Sequence, residues 1–424
     1  MTADSLSEIA SCVSGYDPDS MPVPQAQDFI ARMLPRPHRV EQVELRAALG
    51  RVLAQDIISN LQVPAHDNAA MDGYALRGSD LRDGEVTRLE LAGTSLAGST
   101  SAIGLAPGQC QRIMTGAPMP ADLDTVIPQE FVSREGEFVL IPDGAVRAGA
   151  NRRLAGEDLA LGQLALPAGR RVTPADLGLL ASLGLGQVPV WRRMRVAILA
   201  TGDELRPVGE PLPPGCVYDS NRHTMWGMLQ RLGVDVIDLG VIPDDPAALR
   251  EAFANAAANA DVVLSSGGVS VGEADHTRAV MAELGEVLFW RIAMRPGRPL
   301  AVGRIGDAIL FGLPGNPVAV MVSFYAFVRD ALLAMNGATP APLPMLRAST
   351  TAALRKKPGR TEYQRGIVSR AADGNWQVEI TGNQGSGVLS SMSRANGLLV
   401  LSHDQGDLEA GTLVDVLPLY GLDG

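Results

Sequence analysis

The pattern of hydrophobic and polar positions divides the chain into stretches of different periodicity. Helical spacing of apolar residues occurs over 22–60 and again near 174–183. Between 61 and 150 it gives way to short apolar runs separated by turn residues, a pattern typical of β-strands. We therefore predict a helical linker domain made of residues 22–60 and 151–192, with a β-rich domain inserted at 61–150. Within 22–60 a second helical face is expected through Val43, Leu45, Leu49, Val52 and Leu53.

Residues 193–338 alternate apolar strands with amphipathic helices. Strands that are apolar throughout, each followed by a helix, predict a mainly parallel sheet covered on both faces. Asp245 followed by Pro246 is a good start for one of these helices, as N-cap and first helical residue. Residues 339–424 contain short β runs and turns and predict a small C-terminal β-barrel. The expected fold class is α/β plus β, in several domains.

One uncharged stretch, 308–328, is long enough to span a bilayer. It contains Gly-Leu-Pro-Gly-Asn-Pro at 312–317, which would break a spanning helix. We predict a buried strand, a tight turn and a buried helix there.

The net charge, the cysteine spacing and the N-terminal sequence argue against several classes of partner and site. The net charge of −11 argues against a general nucleic-acid or membrane-surface partner. Cys12, Cys110 and Cys216 form no CxxC pair, so neither a zinc knuckle nor a disulfide framework is indicated. The first twenty residues lack the basic and apolar regions of a signal peptide, and we expect a cytoplasmic protein.

The candidate chemistry lies where the predicted strands end, because ligands of open α/β sheets bind outside the carboxyl ends of the strands. Glycine-rich turns there let backbone amides approach an anion. Four carboxylates in the same loops would repel a phosphate unless a hard cation lay between them, which predicts Mg²⁺. These carboxylates are Asp203, Glu204, Asp244 and Asp275. Each loop alone is equally compatible with a helix cap or a solvated turn.

Basic residues that could bind the phosphate of a ligand occur in two clusters, RIAMRPGRP at 291–299 and RKKPGR at 355–360. Arg365 follows the second cluster by five residues. Either cluster is also compatible with a solvated face. Two familiar nucleotide sites are excluded: the chain has no P-loop GK[ST] sequence, and no GxGxxG follows a predicted strand.

Several motifs together resemble the MoeA-type molybdopterin molybdenumtransferases, the family that includes the gephyrin E domain. Within 193–338 they are TGDEL, YDSN, SSGGVSVGEADHT, RPGRP and GLPGNP. Outside it they are PAHDNAAMDGYA (64–75), RIMTGAPMP (112–120), RRLAGEDL (152–159), PGRTEYQRG (358–366) and TGNQGSG (381–387). The resemblance extends from about residue 22 to the end of the chain.

The resemblance implies insertion of molybdate into the dithiolene of adenylylated molybdopterin, with Mg²⁺-dependent release of AMP. It also implies a central domain of the molybdopterin-binding type and a homodimer whose cleft is shared between subunits. Further implied partners are the adenylyltransferase that supplies the pterin and chaperones of molybdoenzymes.

The resemblance also implies roles for individual residues. The expected catalytic residues are Asp72, Thr115, Asp158 and Glu204. The expected metal ligands are Asp244 and Asp275. The expected ligand-binding residues are Asp203, Ser265, Gly267, Gly268, Ser270, Arg291, Arg295, Pro314, Gly315, Arg365 and Ser386. The chain departs from the pattern at Arg291 and Arg295, where the family commonly has lysine.

Three alternatives stay open at this point. A paralogue that handles tungstate would carry the same residues, since the two oxyanions are nearly identical in size and charge. A non-catalytic pterin-binding scaffold of the gephyrin kind would be expected to carry a fused domain or to lose acidic residues. A stand-alone pterin-binding module would lack the domains at 1–192 and 339–424.

Overall fold

The structure is a computed structural model that describes residues 6–11, 16–37, 39–98, 104–269, 276–341 and 343–419. Two of the predicted site residues, Ser270 and Asp275, lie outside the described residues.

A mixed six-stranded sheet forms the central domain. Its strands, in spatial order, are Asp235–Ile242, Arg195–Thr201, Val262–Ser266, Ala308–Leu313, Pro299–Ile305 and Glu286–Arg291. The first four strands are parallel to one another, and Pro299–Ile305 is antiparallel to both of its neighbours. The predicted mostly parallel sheet is confirmed. The sequence pattern did not reveal Pro299–Ile305, which directly follows the RPGRP turn.

Helices cover both faces of this sheet, as predicted. They are Asn221–Leu232, Pro246–Asn259, His276–Leu284, and Pro317–Ser323 with Arg329–Met335. Along the strand Arg195–Thr201, Val196 and Ile198 enter one core while Ala197 and Leu199 enter the other, which is the period-two alternation of a strand buried on both sides. The Asp245 side chain accepts the N–H of Ala248 at 2.9 Å and caps its helix, as expected.

The long helix Pro317–Met335 contains a π-helical segment, Phe324–Val328, between its two α-helical parts. Among the described residues it is the one helix long and apolar enough to cross a membrane, and 72% of its apolar window is buried inside the protein. Packing against the sheet therefore accounts for its apolar character, and the predicted strand, turn and buried helix are confirmed.

The N-terminal part is less helical than predicted. The helices Leu6–Ser11 and Val23–Met33 precede a strand, Val40–Glu44, that pairs with Gln187–Trp191. The Phe29 ring meets Trp290 edge-on, with centroids 5.0 Å apart, so Val23–Met33 packs on the central core.

The second helical face predicted through Val43, Leu45, Leu49, Val52 and Leu53 is therefore wrong. Val43 lies in a strand, Leu45 begins a short 3₁₀ turn, and Val52 and Leu53 form β-bridges with Arg171 and Val190. The sequence VEQVE fits a strand equally well, and the strand partner lies about 150 residues away, where local periodicity cannot detect it. The remaining elements here are Ile57–Ile58, Leu164–Leu166 and the helix Pro174–Ser182.

The inserted β-rich region is a second six-stranded mixed sheet. In spatial order its strands are Thr125–Pro128, Gly73–Leu76, Gln109–Ile113, Thr87–Ser95, Phe138–Ile141 and Ser133–Glu135. The short strands Asn68–Ala69 and Arg152–Arg153 pair where the chain leaves and re-enters the linker region.

The C-terminal region is a closed five-stranded barrel, as predicted. Around the barrel the strands are Thr361–Arg370, Trp376–Ile380, Leu346–Thr350, Leu413–Pro418 and Gly397–Leu401. A short helix, Leu389–Arg394, which the sequence pattern did not reveal, lies between two of them. Two further short pairings involve the central domain: Leu205–Arg206 with Val217–Tyr218, and Met294–Arg295 with the barrel strand Thr361–Arg370.

Candidate active site

A cleft of about 860 Å³ opens at the carboxyl ends of the parallel strands. The predicted residues that line it are Glu204, Asp244, Gly267, Gly268, Arg295, Pro314, Gly315 and Ser386. Arg298 and Arg360, from the two predicted cation clusters, line it as well. Asn221 and Gln384 also line it but were not assigned to the site from the sequence. The prediction of a crevice at the strand ends is therefore confirmed in its location.

Two glycine turns form the floor of the cleft. Gly267 and Gly268 have φ of +94° and +65°, conformations that L side chains rarely adopt. A Cβ on Gly267 would lie 2.6 Å from the Thr201 carbonyl oxygen, and one on Gly268 would lie 2.4 Å from the Thr277 side chain. The second turn holds Gly315, whose Cβ position is 3.9 Å from the Gly267 Cα. Gly267 and Gly268 are therefore required for close packing against Thr201 and Thr277, and both turns face the cleft without a side chain at the glycines.

Asn221 ties the two turns together. Its Nδ2 donates to the Gly315 carbonyl at 2.7 Å and to the Ser266 hydroxyl at 2.8 Å. Ser266 in turn donates to the Pro314 carbonyl at 3.3 Å. From the sequence, Asn221 could be identified only as the residue that opens a helix, because its partners lie 45 and 94 positions away.

Ser265, a predicted ligand residue, does not line the cleft. Its side chain is completely buried at the end of Val262–Ser266, and successive strand residues face opposite sides. Its neighbour Ser266 occupies the lining position instead.

Glu204 and Asp244 form an acidic wall. They follow the two strands at the parallel edge of the sheet, Arg195–Thr201 and Asp235–Ile242. The predicted Asp203 is exposed and does not line the cleft, but its Oδ1 accepts the backbone N–H of Asp244 at 3.0 Å. Burial raises the pKa of Asp244, and the negative charges of Asp203 and Glu204 raise it further. The wall carries more negative charge than its own surroundings neutralise.

The residues present fit a divalent cation only in part. Carboxylate oxygens are the ligands that Mg²⁺ prefers, and a cation beside Asp244 would offset its repulsion by Asp203 and Glu204. Within the described ranges, however, no group of three or more His, Cys, Asp or Glu side chains is arranged to hold a metal ion. A cation here would need further oxygens from a ligand, from water or from residues outside those ranges.

Arg295, Arg298 and Arg360 form a cationic wall on the barrel side of the cleft. Met294–Arg295 pairs with Thr361 and Glu362, which brings Arg295 beside the segment that carries Arg360. Arg360 is held by Glu362, its Nε donating to Oε1 at 2.8 Å. The cations therefore come from both domains, a pairing that the two separate clusters in the sequence do not reveal.

Two predicted ligand residues of this wall are placed elsewhere. Arg291 ends the edge strand, where its backbone N–H donates to the Pro18 carbonyl at 2.7 Å, and it does not line the cleft. Arg291 and Arg295 belong to one predicted cation cluster, but the chain leaves the edge strand between the two residues. Arg365 also lies outside the lining: it is 1% exposed, and its guanidinium donates to a loop whose residues Gln384 and Gly385 do line the cleft.

Asp72, Thr115 and Asp158, predicted to be catalytic, do not line this cleft. Thr115 donates its backbone N–H and its hydroxyl to Asp72 Oδ1, at 2.7 and 2.6 Å. These two hydrogen bonds lower the pKa of the exposed Asp72 carboxyl. Asp158 lies where its backbone N–H donates to the Val63 carbonyl. Within one chain the structure joins Asp72 to Thr115 but brings neither to the acidic or the cationic wall.

Family sequence profiles cover most of the chain. Residues 21–184 match the MoeA N-terminal region (domains I and II), 197–334 match a probable molybdopterin binding domain, and 347–419 match the MoeA C-terminal region (domain IV).

Whole-length relatives agree with these matches. A protein of Haemophilus influenzae named molybdopterin molybdenumtransferase is 41% identical over 401 residues, covering 94% of this chain and 99% of the relative. A protein of the same name from Nostoc is 36% identical, covering 94% of each chain. The crystal structure of a molybdopterin biosynthesis MoeA protein from Pyrococcus horikoshii superposes with a TM-score of 0.82 at 29% identity, over 94% of this chain and 99% of that one. The chain therefore belongs to the MoeA family of molybdopterin molybdenumtransferases.

Proposed function

We propose that this enzyme of molybdenum cofactor biosynthesis inserts molybdate into the dithiolene of adenylylated molybdopterin and releases AMP in a Mg²⁺-dependent step. The observation that carries the proposal is the layout of the cleft, in which a glycine floor separates a cationic wall from an acidic wall. A substrate with several negative groups and a cation-dependent leaving group suits such a cleft.

The cationic wall suits the oxyanion and the pterin-side phosphate of the phosphoanhydride. Arg295, Arg298 and Arg360 offer positive charges that would form charge-assisted hydrogen bonds with phosphate-like oxygens. Ser386 adds a hydroxyl group to the same wall. The backbone of the Gly267 and Gly315 turns would lie along the pyrophosphate, where no side chain blocks its approach.

The acidic wall suits the leaving group. Glu204 and Asp244 would supply oxygens to Mg²⁺, and the ion, when bound, would neutralise charge on the phosphoanhydride as it breaks. In the complete reaction two dithiolene sulfurs replace two oxygens of molybdate, and these oxygens leave as two waters with protons from the dithiol and the solvent. One water is consumed when the phosphoanhydride is hydrolysed to AMP and the pterin phosphate. Asn221 would keep the floor in register throughout, because it holds both glycine turns.

A second copy of the chain would complete the site. The linked pair Asp72 and Thr115 lies in the β-rich region, outside the cleft of its own chain. A homodimer that shares its cleft would bring this pair to the cleft of its partner. The cytoplasmic location, the supplying adenylyltransferase and the molybdoenzyme chaperones remain predictions of the same proposal.

The test is AMP release from adenylylated molybdopterin, followed with molybdate and Mg²⁺, with tungstate in place of molybdate, and with EDTA. We expect release that depends on both ions and is largely lost in Arg298→Ala. Arg347→Ala is the matched control, since Arg347 is exposed on the barrel and pairs with Asp415 at 3.4 Å. Pterin binding without AMP release would support the scaffold alternative, and a preference for tungstate would support the tungstate paralogue.

A further inference from the structure

Arg365 lies at the centre of the barrel wall behind the cleft. It is 1% exposed, and it belongs to the strand Thr361–Arg370. Its guanidinium donates to the carbonyls of Asn383, Gln384 and Gly385 at 3.2, 3.1 and 2.9 Å. A fourth hydrogen bond joins its Nε to the Ser391 hydroxyl at 3.0 Å. One side chain thus satisfies three successive carbonyls of a loop.

The loop holds the strand in return. The Gln384 Oε1 accepts the backbone N–H of Arg365 at 2.8 Å, and its Nε2 donates to the Arg365 carbonyl at 3.1 Å. Arg365 and Gln384 therefore bind each other through side chain and backbone in both directions. Such a reciprocal set leaves the loop little freedom to move without breaking several hydrogen bonds together.

The loop held by Arg365 is part of the cleft. Gln384, Gly385 and Ser386 all line it. The Ser386 carbonyl accepts the backbone N–H of Val318 at 3.1 Å, in the first turn of the helix that follows the Gly315 turn. The loop therefore connects the barrel to the floor of the central domain, and its position sets the distance between them.

The hydrogen-bond partners of the Arg365 guanidinium are all neutral, so none of them is a carboxylate that would balance its positive charge. Burial, together with the nearby Arg295 cation, lowers the pKa of Arg365 to about 10, so the group is still charged at pH 7. A buried cation without a counter-ion is costly, and an anion in the adjacent cleft would offset part of that cost.

We propose that Arg365 is a positioning residue that holds the Gln384–Ser386 wall in its binding geometry and adds positive potential behind it, without touching the ligand. The inference rests on the proposed function only in taking the ligand to be an anion. Lysine keeps the charge but loses the planar fork that reaches three carbonyls, so Arg365→Lys separates the two contributions.

The first experiment needs no ligand. Amide hydrogen exchange over residues 382–388 is compared in the unmodified chain, Arg365→Lys and Arg370→Lys. Arg370 is the control, because it lies on the same strand with its guanidinium stacked on Trp376 at 4.1 Å. Loss of charge-assisted hydrogen bonds should speed exchange at least about tenfold in Arg365→Lys and leave Arg370→Lys unchanged. Unchanged exchange in Arg365→Lys would overturn the proposal.

A milder variant covers the case in which Arg365→Lys does not fold. Ser391→Ala removes one acceptor of the guanidinium, outside the cleft lining. The Ser391 hydroxyl also donates to the Val388 carbonyl at 2.6 Å, so exchange is compared at residues 383–386, away from that contact. Exchange over the same amides should then rise about fivefold, the effect of one ordinary hydrogen bond. No rise in Ser391→Ala would count against the proposal in the same way.

The second experiment asks whether Arg365 acts through the loop. Calorimetry gives the Kd for inorganic molybdate in Ser386→Ala, Arg365→Lys and the double variant. If Arg365 acts by placing Ser386, the loss caused by Ser386→Ala should largely disappear in the Arg365→Lys background. Additive losses would indicate direct contact and overturn the positioning role. If the unmodified chain binds no molybdate, the proposed function fails, while the exchange experiment still decides the role of Arg365.

Discussion

The backbone N–H of Asp244 donates to Oδ1 of Asp203 at 3.0 Å, so two acidic loops from neighbouring strands meet at the edge of the cleft. This hydrogen bond brings the Asp203 carboxylate against Asp244, with Glu204 beside both. Like charges held together in this way favour either a proton or a cation. The stability of an Asp244 variant, with and without Mg²⁺, therefore tests whether the acidic wall binds a cation.

Asp244→Asn should stabilise the protein at neutral pH. The pKa of Asp244 is raised, so its ionised form is less favourable in the folded state than in the unfolded chain. Its contribution to stability is therefore greatest below the ordinary aspartate pKa and falls as pH rises through the raised pKa. The gain in Tm should shrink as pH is lowered from about 7.5 toward 4. Mg²⁺ should raise the Tm of the unmodified chain more than that of the variant, and equal Mg²⁺ effects would exclude Asp244 as a ligand.

Arg295→Lys should keep turnover within about tenfold, equivalent to under roughly 1.4 kcal/mol, because charge and not the fork is needed there. Arg295 is exposed and lines the cationic wall, and 34 of the 36 basic residues other than histidine are arginine, which points to composition as the origin of the arginine. Arg295→Ala should lose far more. The measurement is kcat/KM for AMP release, and a lysine variant as damaged as the alanine one would contradict the prediction.

Gly268→Ala should destabilise the protein strongly. Its Cβ would lie 2.4 Å from the Thr277 side chain, in addition to the strain of a φ of +65°. Gly306→Ala is the matched control, with a φ of +57° and no atom within 4 Å of the added Cβ. The left-handed backbone alone costs roughly 1–2 kcal/mol, and the clash should add about 1–3 kcal/mol in Gly268→Ala only. Urea unfolding measures both, and equal losses would show that the turn relaxes freely.

Mixed dimers should restore activity if the cleft is shared. Asp72→Ala and Asp244→Ala chains, each inactive alone, are unfolded together and re-associated. One of the two sites in each heterodimer would then be intact, so a random mixture should recover about a quarter of the unmodified activity. An inactive mixture that contains heterodimer by native mass spectrometry would show that Asp72 and Asp244 do not act across subunits.

Local patterns in the sequence predict the central domain well, because each of its elements carries its own signal. Val262–Ser266 is apolar and ends in glycines, and Asp245 caps its own helix. The place of the cleft follows, since parallel strands deliver their following loops to one edge. Where the partner of an element is remote, prediction fails: Val43 gains its strand conformation from pairing with Val188.

The same dependence on remote partners decides which cleft residues can be recognised from the sequence and which cannot. Glycines such as Gly267 and Gly315 show their role in the local motif. Asn221 does not, since its hydrogen-bond partners lie in other segments. The cluster that contains Arg360 was identified as cationic, but its position beside Arg295 depends on a strand pairing between two domains. Arg365 was identified as a site residue from its motif, but only its three carbonyl contacts reveal that it serves the loop.

The Asn221 bridge also bears on the order of folding. Its partners Ser266 and Gly315 stand 45 and 94 residues further along the chain, and contacts of such long range close late because loop closure costs entropy first. The floor of the cleft can therefore take shape only after three strand–helix units have assembled. A nascent or partly folded chain would offer no finished anion site, so the ligand would bind only molecules whose central sheet is complete.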